Sequence, residues 1–339
     1  MDLRLSAEQE LLVESFSSLL EKHSNPERVR ECEATGFDPV LWAQLRETGA
    51  IQMAVPEVDG GWGASLLDLA LVAEHVGRTV ASAPVIEAQV AARLLSRVAT
   101  DSARELLASM LRGEQTVTLA LHPVADGVAT LVPGATVADV VLALDGDRLV
   151  GASPKGSARV ENLGSMALAD VSMASATDVA NGEAAIAAYE AAIDEWLVLT
   201  SAALQAIGAR ALEIGVEYVK ERKAFGVAIG SFQAISHRLA DSAAALDGAQ
   251  LLAREAAWAH DAEPARFAEL AAMSFAYAYE SARDATYRSL HFHGGYGFMM
   301  EYDIQLYYRR ARAWANVYAE PSVVYRRAAD ARYGKVAAG

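Results

Sequence analysis

Residues 222–241 read RKAFGVAIGSFQAISHRLAD, a basic, aromatic and glycine-broken segment between two long alanine-rich runs. Upstream, Trp196, Thr200, Ala203, Ile207, Ala211, Ile214 and Tyr218 recur at spacings of three and four, which predicts a helix with an apolar face. Gly226 and Gly230 then break the pattern, permit positive φ and let the chain reverse into a second helix near Ser231. Two long helices joined by a tight turn call for helix-on-helix packing. The turn gathers a guanidinium, an aromatic ring and the amides of a helix start, a combination suited to a phosphate-bearing ligand with a flat ring. The same residue types also serve a plain interhelical turn.

The rest of the chain is read outward from that feature. Ser6 and Gln9 form a capping-box pattern ahead of Leu12, Phe16 and Leu19, so a first helix begins close to Ser6. Trp42, Leu45 and Gly49 mark a second helix that ends at glycine, and Pro56 halts regular structure before the loop Asp59-Gly60-Gly61-Trp62-Gly63. A helix carrying Leu66, Leu69, Ala73 and Val76 follows, then helical segments broken by Pro84. From Thr116 the pattern changes to short strands: Val117, Leu119 and Leu121 alternate, and Val137 to Leu144 and Leu149-Val150 flank an Asp145-Gly146 turn. Helices are predicted over 182–220, 231–260 and 264–290 and should pack as a bundle. The expected fold is mainly α, with an N-terminal helical domain (1–114), a reduced central β domain (115–182) and a C-terminal four-helix bundle (183–339).

Hydrophobic residues make up 53% of the 339, many of them alanine, which favours close-packed helices. A formal net charge of −15 argues against nucleic acid and anionic membranes as partners. Cys32 is the only cysteine, so no internal disulfide forms, and His122, His237, His260 and His293 show no metal-ligand spacing. Met1 opens an acidic, amphipathic stretch without the order of a signal peptide, and no uncharged run is long enough to span a bilayer. A soluble, cytoplasmic protein is expected.

The order Arg222, Phe225-Gly226, Phe232-Gln233 and Leu239-Ala240-Asp241 resembles the flavin-binding turn of the acyl-CoA dehydrogenase family. His293-Gly294-Gly295-Tyr296-Gly297-Phe298, with Glu301-Tyr302 and Arg309-Arg310-Ala311, looks like its second flavin motif. Val55-Pro56-Glu57 with Gly60-Gly61-Trp62-Gly63 is similar to its N-terminal signature. The resemblance implies FAD as cofactor and an acyl-CoA substrate. It assigns Arg222 and Gln233 to the diphosphate, Phe225 to the adenosine half, and Gly294 and Gly295 to a close backbone approach. His291 stands where relatives often have glutamine. It also implies that the glycine loop at 60–63 nears the acyl end of the pocket, the alternative being simple turn chemistry.

In the family a base takes the proton next to the thioester, so the resemblance implies a carboxylate in that role, and two candidates are in view. Glu320 lies ahead of Pro321 at a helix junction, as the family's glutamate does, though two residues out of register with Gly294-Gly295. Glu195 lies near the start of the long helix, where some relatives carry the base; the matching position itself is Trp196. The family's Thr-Glu and Gly-Ser-Asp loops, which hold the flavin ring, are absent from the central segment. Tail motifs kept and ring loops missing resemble the smaller subunits of heteromeric actinobacterial sterol side-chain dehydrogenases. The resemblance therefore implies a longer acyl-CoA dehydrogenase paralogue as partner in a heterotetramer, with electron-transfer flavoprotein or a similar acceptor. A self-sufficient homo-oligomer using Glu320 and a non-catalytic scaffold are the alternatives. Arg309, Arg310, Arg312, Arg326 and Arg327 concentrate positive charge, either for phosphates and an acidic partner or for surface salt bridges.

Overall fold

The computed structural model describes residues 4–334, and these are mainly helical. Six helices come first: α1 (Ala7–His23), α2 (Pro26–Glu31), α3 (Pro39–Glu47), α4 (Leu66–Arg78), α5 (Val85–Val98) and α6 (Asp101–Leu111). Strands β1 (Val117–Leu119), β2 (Val128–Val132), β3 (Val140–Asp145), β4 (Arg148–Ala152), β5 (Ala169–Ser172) and β6 (Thr177–Asn181) follow. The remainder is α7 (Glu183–Glu221), the strand pair β7 (Lys223–Ala224) and β8 (Val227–Ala228), then α8 (Gln233–Ala262), α9 (Pro264–Phe292), α10 (Ile304–Asn316) and α11 (Pro321–Tyr333). The Ser6 capping box is formed, its hydroxyl accepting from Gln9 N while the Gln9 side chain accepts from Ser6 N. Met1, where the acidic stretch opens, lies outside the described residues.

Two compact units divide the chain, one of Glu27–Leu69 and Ser82–Trp196, the other of Met1–Pro26, Ala70–Ala81 and Leu197–Gly339. These bounds differ from the three-part division expected from sequence because α1 and the end of α4 pack with the late helices. Gly77 abuts the Ala203 carbonyl so closely that a Cβ would lie 2.0 Å from its oxygen. Arg254 on α8 holds both carboxylate oxygens of Glu74 at 2.9 Å.

In the unit of 27–69 and 82–196, the strands form a four-stranded sheet of order β1-β3-β4-β6 and a two-stranded pair β2-β5. β1 runs parallel to β3, and the β3–β4 and β4–β6 pairs are antiparallel. Val132, Val141, Val150, Ala169 and Val171 from both sheets share one core cluster. The glycine loop at 60–63 folds back on its own chain: Trp62 N donates to Gln52 O and Gly63 N to Val55 O, both at 2.9 Å. The Trp62 ring fills the space where Gly49 lacks a Cβ. Gly61 abuts the Val55 carbonyl, and Gly60 and Gly63 have φ of 89° and 67°, so packing and turn geometry account for the three glycines.

In the other unit, α9 is the hub, packed by α8, α10 and α11. From Leu197 to Gly208, α7 is buried on every side, so the apolar face read from its periodicity is part of a wholly interior segment. α7 is long and apolar enough to cross a membrane, but most of that apolar stretch is buried within this protein.

Candidate functional site

Beyond Glu221 the chain makes a minimal hairpin in which Lys223 pairs with Ala228 and Ala224 with Val227. The two linking residues, Phe225 and Gly226, have φ of 52° and 85°, as primed two-residue loops require. Glycine accepts this freely, whereas a left-handed Phe costs on the order of 1–2 kcal/mol. Phe225 is 95% exposed, and its ring stands edge-on to Phe232 with 6.2 Å between centroids. Packing within this chain does not offset that strain.

Phe232 is the N-cap of α8 and supplies no side-chain cap, so the first amides of α8 keep their partial positive charge unmet by a side chain. Gln233 opens this helix and is exposed. The carbonyl of Arg222 accepts from Ile229 N at 2.8 Å, which brings the base of the hairpin to the start of α8. The Arg222 side chain is exposed as well. A guanidinium, an amide, an uncapped helix start and an exposed ring therefore stand together, as the sequence suggested.

The second motif leaves the end of α9. Gly294 and Gly295 are exposed, and a Cβ at either would meet nothing within 4 Å, so their backbone is open to a ligand's approach. His291 is exposed and stacks on Tyr287 at 5.9 Å. His293 turns the other way: it is 4% exposed and its Nδ1–H donates to the Ser289 carbonyl at 2.7 Å. Its ring stacks on Tyr218 of α7 at 4.1 Å with an interplanar angle of 21°. Burial lowers its pKa below the usual histidine value, so it is neutral at physiological pH. Sequence reasoning missed this pair, although each member adjoins a motif: Tyr218 lies one turn before Arg222, and His293 directly precedes Gly294. The donor set fits the diphosphate and adenosine of FAD, with charge, helix amides, an aromatic face and an open glycine edge all present.

The two candidate bases occupy opposite environments. Glu320 is exposed at the α10–α11 junction with extended backbone (φ −65°, ψ 147°), and its side chain makes no cap bond. Burial, and after it the Glu320 charge, raise the pKa of Tyr279, whose hydroxyl donates to Asn316 at 2.7 Å. Glu195 is fully buried and accepts from Arg93 at 2.9 Å and from Arg97, both on α5. Beside it, Trp196 Nε1–H donates to Glu87 on the same helix α5 at 3.3 Å. Burial pushes the Glu87 carboxyl up from the ordinary range. Glu87 was not singled out from sequence, because nothing local distinguishes it from other helix glutamates.

Of the arginine cluster, Arg310 is 2% exposed, Arg309 donates to Gln305 at 2.7 Å, and Arg312 lies 4.7 Å over the Tyr308 ring. Internal contacts thus occupy much of this charge. Among the described residues no three His, Cys, Asp or Glu side chains are grouped to hold a metal.

Comparison with known proteins identifies the family. The model for the acyl-CoA dehydrogenase N-terminal domain matches residues 6–114, and that for the C-terminal domain matches 197–316. The chain is 32% identical over 336 residues to "Acyl-CoA dehydrogenase IpdE2" of Mycolicibacterium smegmatis, covering 95% of this chain and 98% of that protein. The IpdE2 of Mycobacterium tuberculosis is 30% identical over 323 residues, covering 94% and 96%. Among solved structures, the ChsE4–ChsE5 complex from Mycobacterium tuberculosis superposes with a TM-score of 0.88 at 22% identity over 99% of this chain and 100% of that one. The Tcur3481–Tcur3483 steroid enzyme (G363A variant) gives a TM-score of 0.87 at 24% identity, covering 96% and 97%. The chain belongs to the acyl-CoA dehydrogenase family.

Proposed function

We propose that this chain is one subunit of a heteromeric, cytoplasmic acyl-CoA dehydrogenase that acts on the CoA thioester of a steroid-derived acid. In it the chain holds the nucleotide tail of FAD, and a longer relative walls the ring. Bound FAD supplies the hydride acceptor for α,β-dehydrogenation of the thioester. Electron-transfer flavoprotein or a similar protein then reoxidises the enzyme.

One observation carries this reading: Arg222, Phe225, Gln233, His291, Gly294 and Gly295 are all exposed on this chain. A tail site whose parts all face outward is suited to a ligand seated on another subunit. Arg222 neutralises diphosphate charge, a contact of about 1.5–3 kcal/mol once sheltered from water. The open start of α8 adds its amides, and Phe225 offers a flat face to the adenosine. Further support for the shared assembly and the substrate class comes from the relatives named above. Glu195, committed to Arg93 and Arg97, serves to tie α5 to α7 and not to take the substrate proton.

The test is a visible absorption spectrum and acyl-CoA turnover of the purified chain, alone and with a longer family partner. Flavin retention and turnover are expected only for the pair; full activity of the lone chain refutes sharing. Unchanged flavin content of the pair after Arg222→Ala identifies a scaffold subunit instead. A self-sufficient enzyme with Glu320 as base is favoured by one fact, the exposed Glu320 carboxylate at a helix junction that uses no cap bond. There Glu320→Gln removes turnover and leaves flavin bound.

A further inference from the structure

The two motifs lie far apart in sequence, and something must hold them at a fixed spacing. In the unit that contains both, α7 and α9 touch at successive points. A Cβ on Gly208 would lie 3.0 Å from Ala282 Cα, and one on Gly215 would lie 2.7 Å from Ser289 Oγ. The third point is the stack of Tyr218 on His293. Both partners advance together along their helices, so α7 and α9 run parallel here and end side by side. The Tyr218 hydroxyl also reaches the His293 carbonyl at 3.5 Å. One turn later α7 releases Arg222, whose N–H still bonds the Tyr218 carbonyl at 2.9 Å. On the other helix, the residue after His293 is Gly294.

We propose that Tyr218 and His293 are positioning residues, whose stacked rings set the spacing between the Arg222 turn and the Gly294–Gly295 edge and so preorganise the flavin-tail site. This inference rests on the flavin-tail reading above. The stack lies behind the exposed groups: His293 is buried and Tyr218 partly so, while the ligand-facing residues are open. Neither ring need touch the cofactor to govern its affinity.

The arrangement also makes the site sensitive to acid. The groups facing the His293 ring are the Tyr218 phenol from α7, the Ser289 carbonyl from α9, and the Tyr302 phenol at 6.4 Å from the segment before α10. None of the three is a carboxylate or a cationic side chain. With Nδ1–H already given to Ser289, a second proton must enter at Nε2, leaving a cation in a buried stack with no carboxylate among these neighbours. The sign follows from burial, which favours the neutral ring: the spacing is kept above the unfolded histidine value near 6.5 and lost as pH falls through the lower folded one.

FAD dissociation from the loaded complex, read as recovery of flavin fluorescence between pH 8 and pH 5.5, tests this. His293→Ala and Tyr218→Ala each weaken FAD binding roughly three- to tenfold at pH 8, and the double variant little more than either. His293→Phe, which keeps a ring but cannot titrate, binds as wild type at pH 8 and loses the acid-side weakening that wild type shows. Tyr218→Phe, with the ring retained, also stays near wild type and covers the case in which an alanine variant fails to fold. If His293→Ala and Tyr218→Ala hold FAD as wild type does while Arg222→Ala releases it, the positioning role is overturned and the tail site stands. If Arg222→Ala also retains FAD, the tail reading falls, and this inference with it.

Discussion

Phe225 is both strained and bare, with a left-handed backbone and 95% exposure. Asparagine tolerates that conformation far better, so Phe225→Asn is expected to stabilise the lone chain by on the order of 1 kcal/mol. The same change weakens FAD binding by the assembly, because the adenosine loses its flat contact. Urea denaturation and a flavin titration measure the two effects, and opposite signs mark a residue kept for its ligand. Glu87 poses the reverse problem, a carboxyl pushed upward by burial with a Trp196 N–H as its side-chain donor. Because its folded value lies above the unfolded one near 4.3, its stability contribution is whole below that pH and is lost as pH rises through the folded value. Glutamine keeps the acceptor oxygen and cannot ionise. Glu87→Gln should therefore raise the urea midpoint at pH 8 and leave it unchanged near pH 4; an equal gain at both would show that ionisation is irrelevant there.

Two elements, α5 and the first half of α7, are joined by a buried ion cluster. Glu195 meets Arg93 and Arg97, which lie about a hundred residues earlier in the chain. Removing the anion takes a shared buried acceptor from two guanidinium groups, so Glu195→Ala should cost about 3 kcal/mol in urea denaturation. A residue acting only as a base would spare stability. That cluster also shows where local sequence runs out. Periodicity disclosed α7 to within a residue or so at each end, because alanine and leucine repeats persist over many turns. The capping box at Ser6 and the turn at Gly226 were equally plain, each written in a few adjacent residues. Charge partners on another helix leave no such trace, so the sequence placed Glu195 by its resemblance to relatives and gave no sign of Arg93 and Arg97. Strands β2, β5 and β6 were missed because four or five residues carry too little alternation, and the hairpin β7–β8 is shorter still. The positions proposed for the flavin tail were legible as motifs, whereas the Tyr218–His293 stack exists only once α7 and α9 lie together.

For the molecule as a whole, the question is what covers its bare apolar residues. In the unit carrying the proposed tail site, Tyr296 is 45% exposed, Phe298 70%, Met299 44% and Met300 54%, all in one stretch after α9. A lone soluble chain gains nothing from presenting such a run to water, and clustered exposure of this kind marks a binding surface. The stretch continues directly from the Gly294–Gly295 edge, so a subunit that brings the flavin ring to this chain would meet these side chains as well. Their burial would then contribute to assembly in proportion to apolar area, roughly 25 cal/mol per Å². Phe298→Ser combined with Met300→Lys should abolish co-purification with the longer partner and raise the solubility of the single chain. Far-UV circular dichroism should stay unchanged, since neither side chain belongs to the buried core. Sedimentation velocity distinguishes the outcomes. A double variant that still forms the complex at wild-type stoichiometry would place the interface elsewhere, whereas one that loses both complex and flavin would tie assembly and cofactor retention to the same surface.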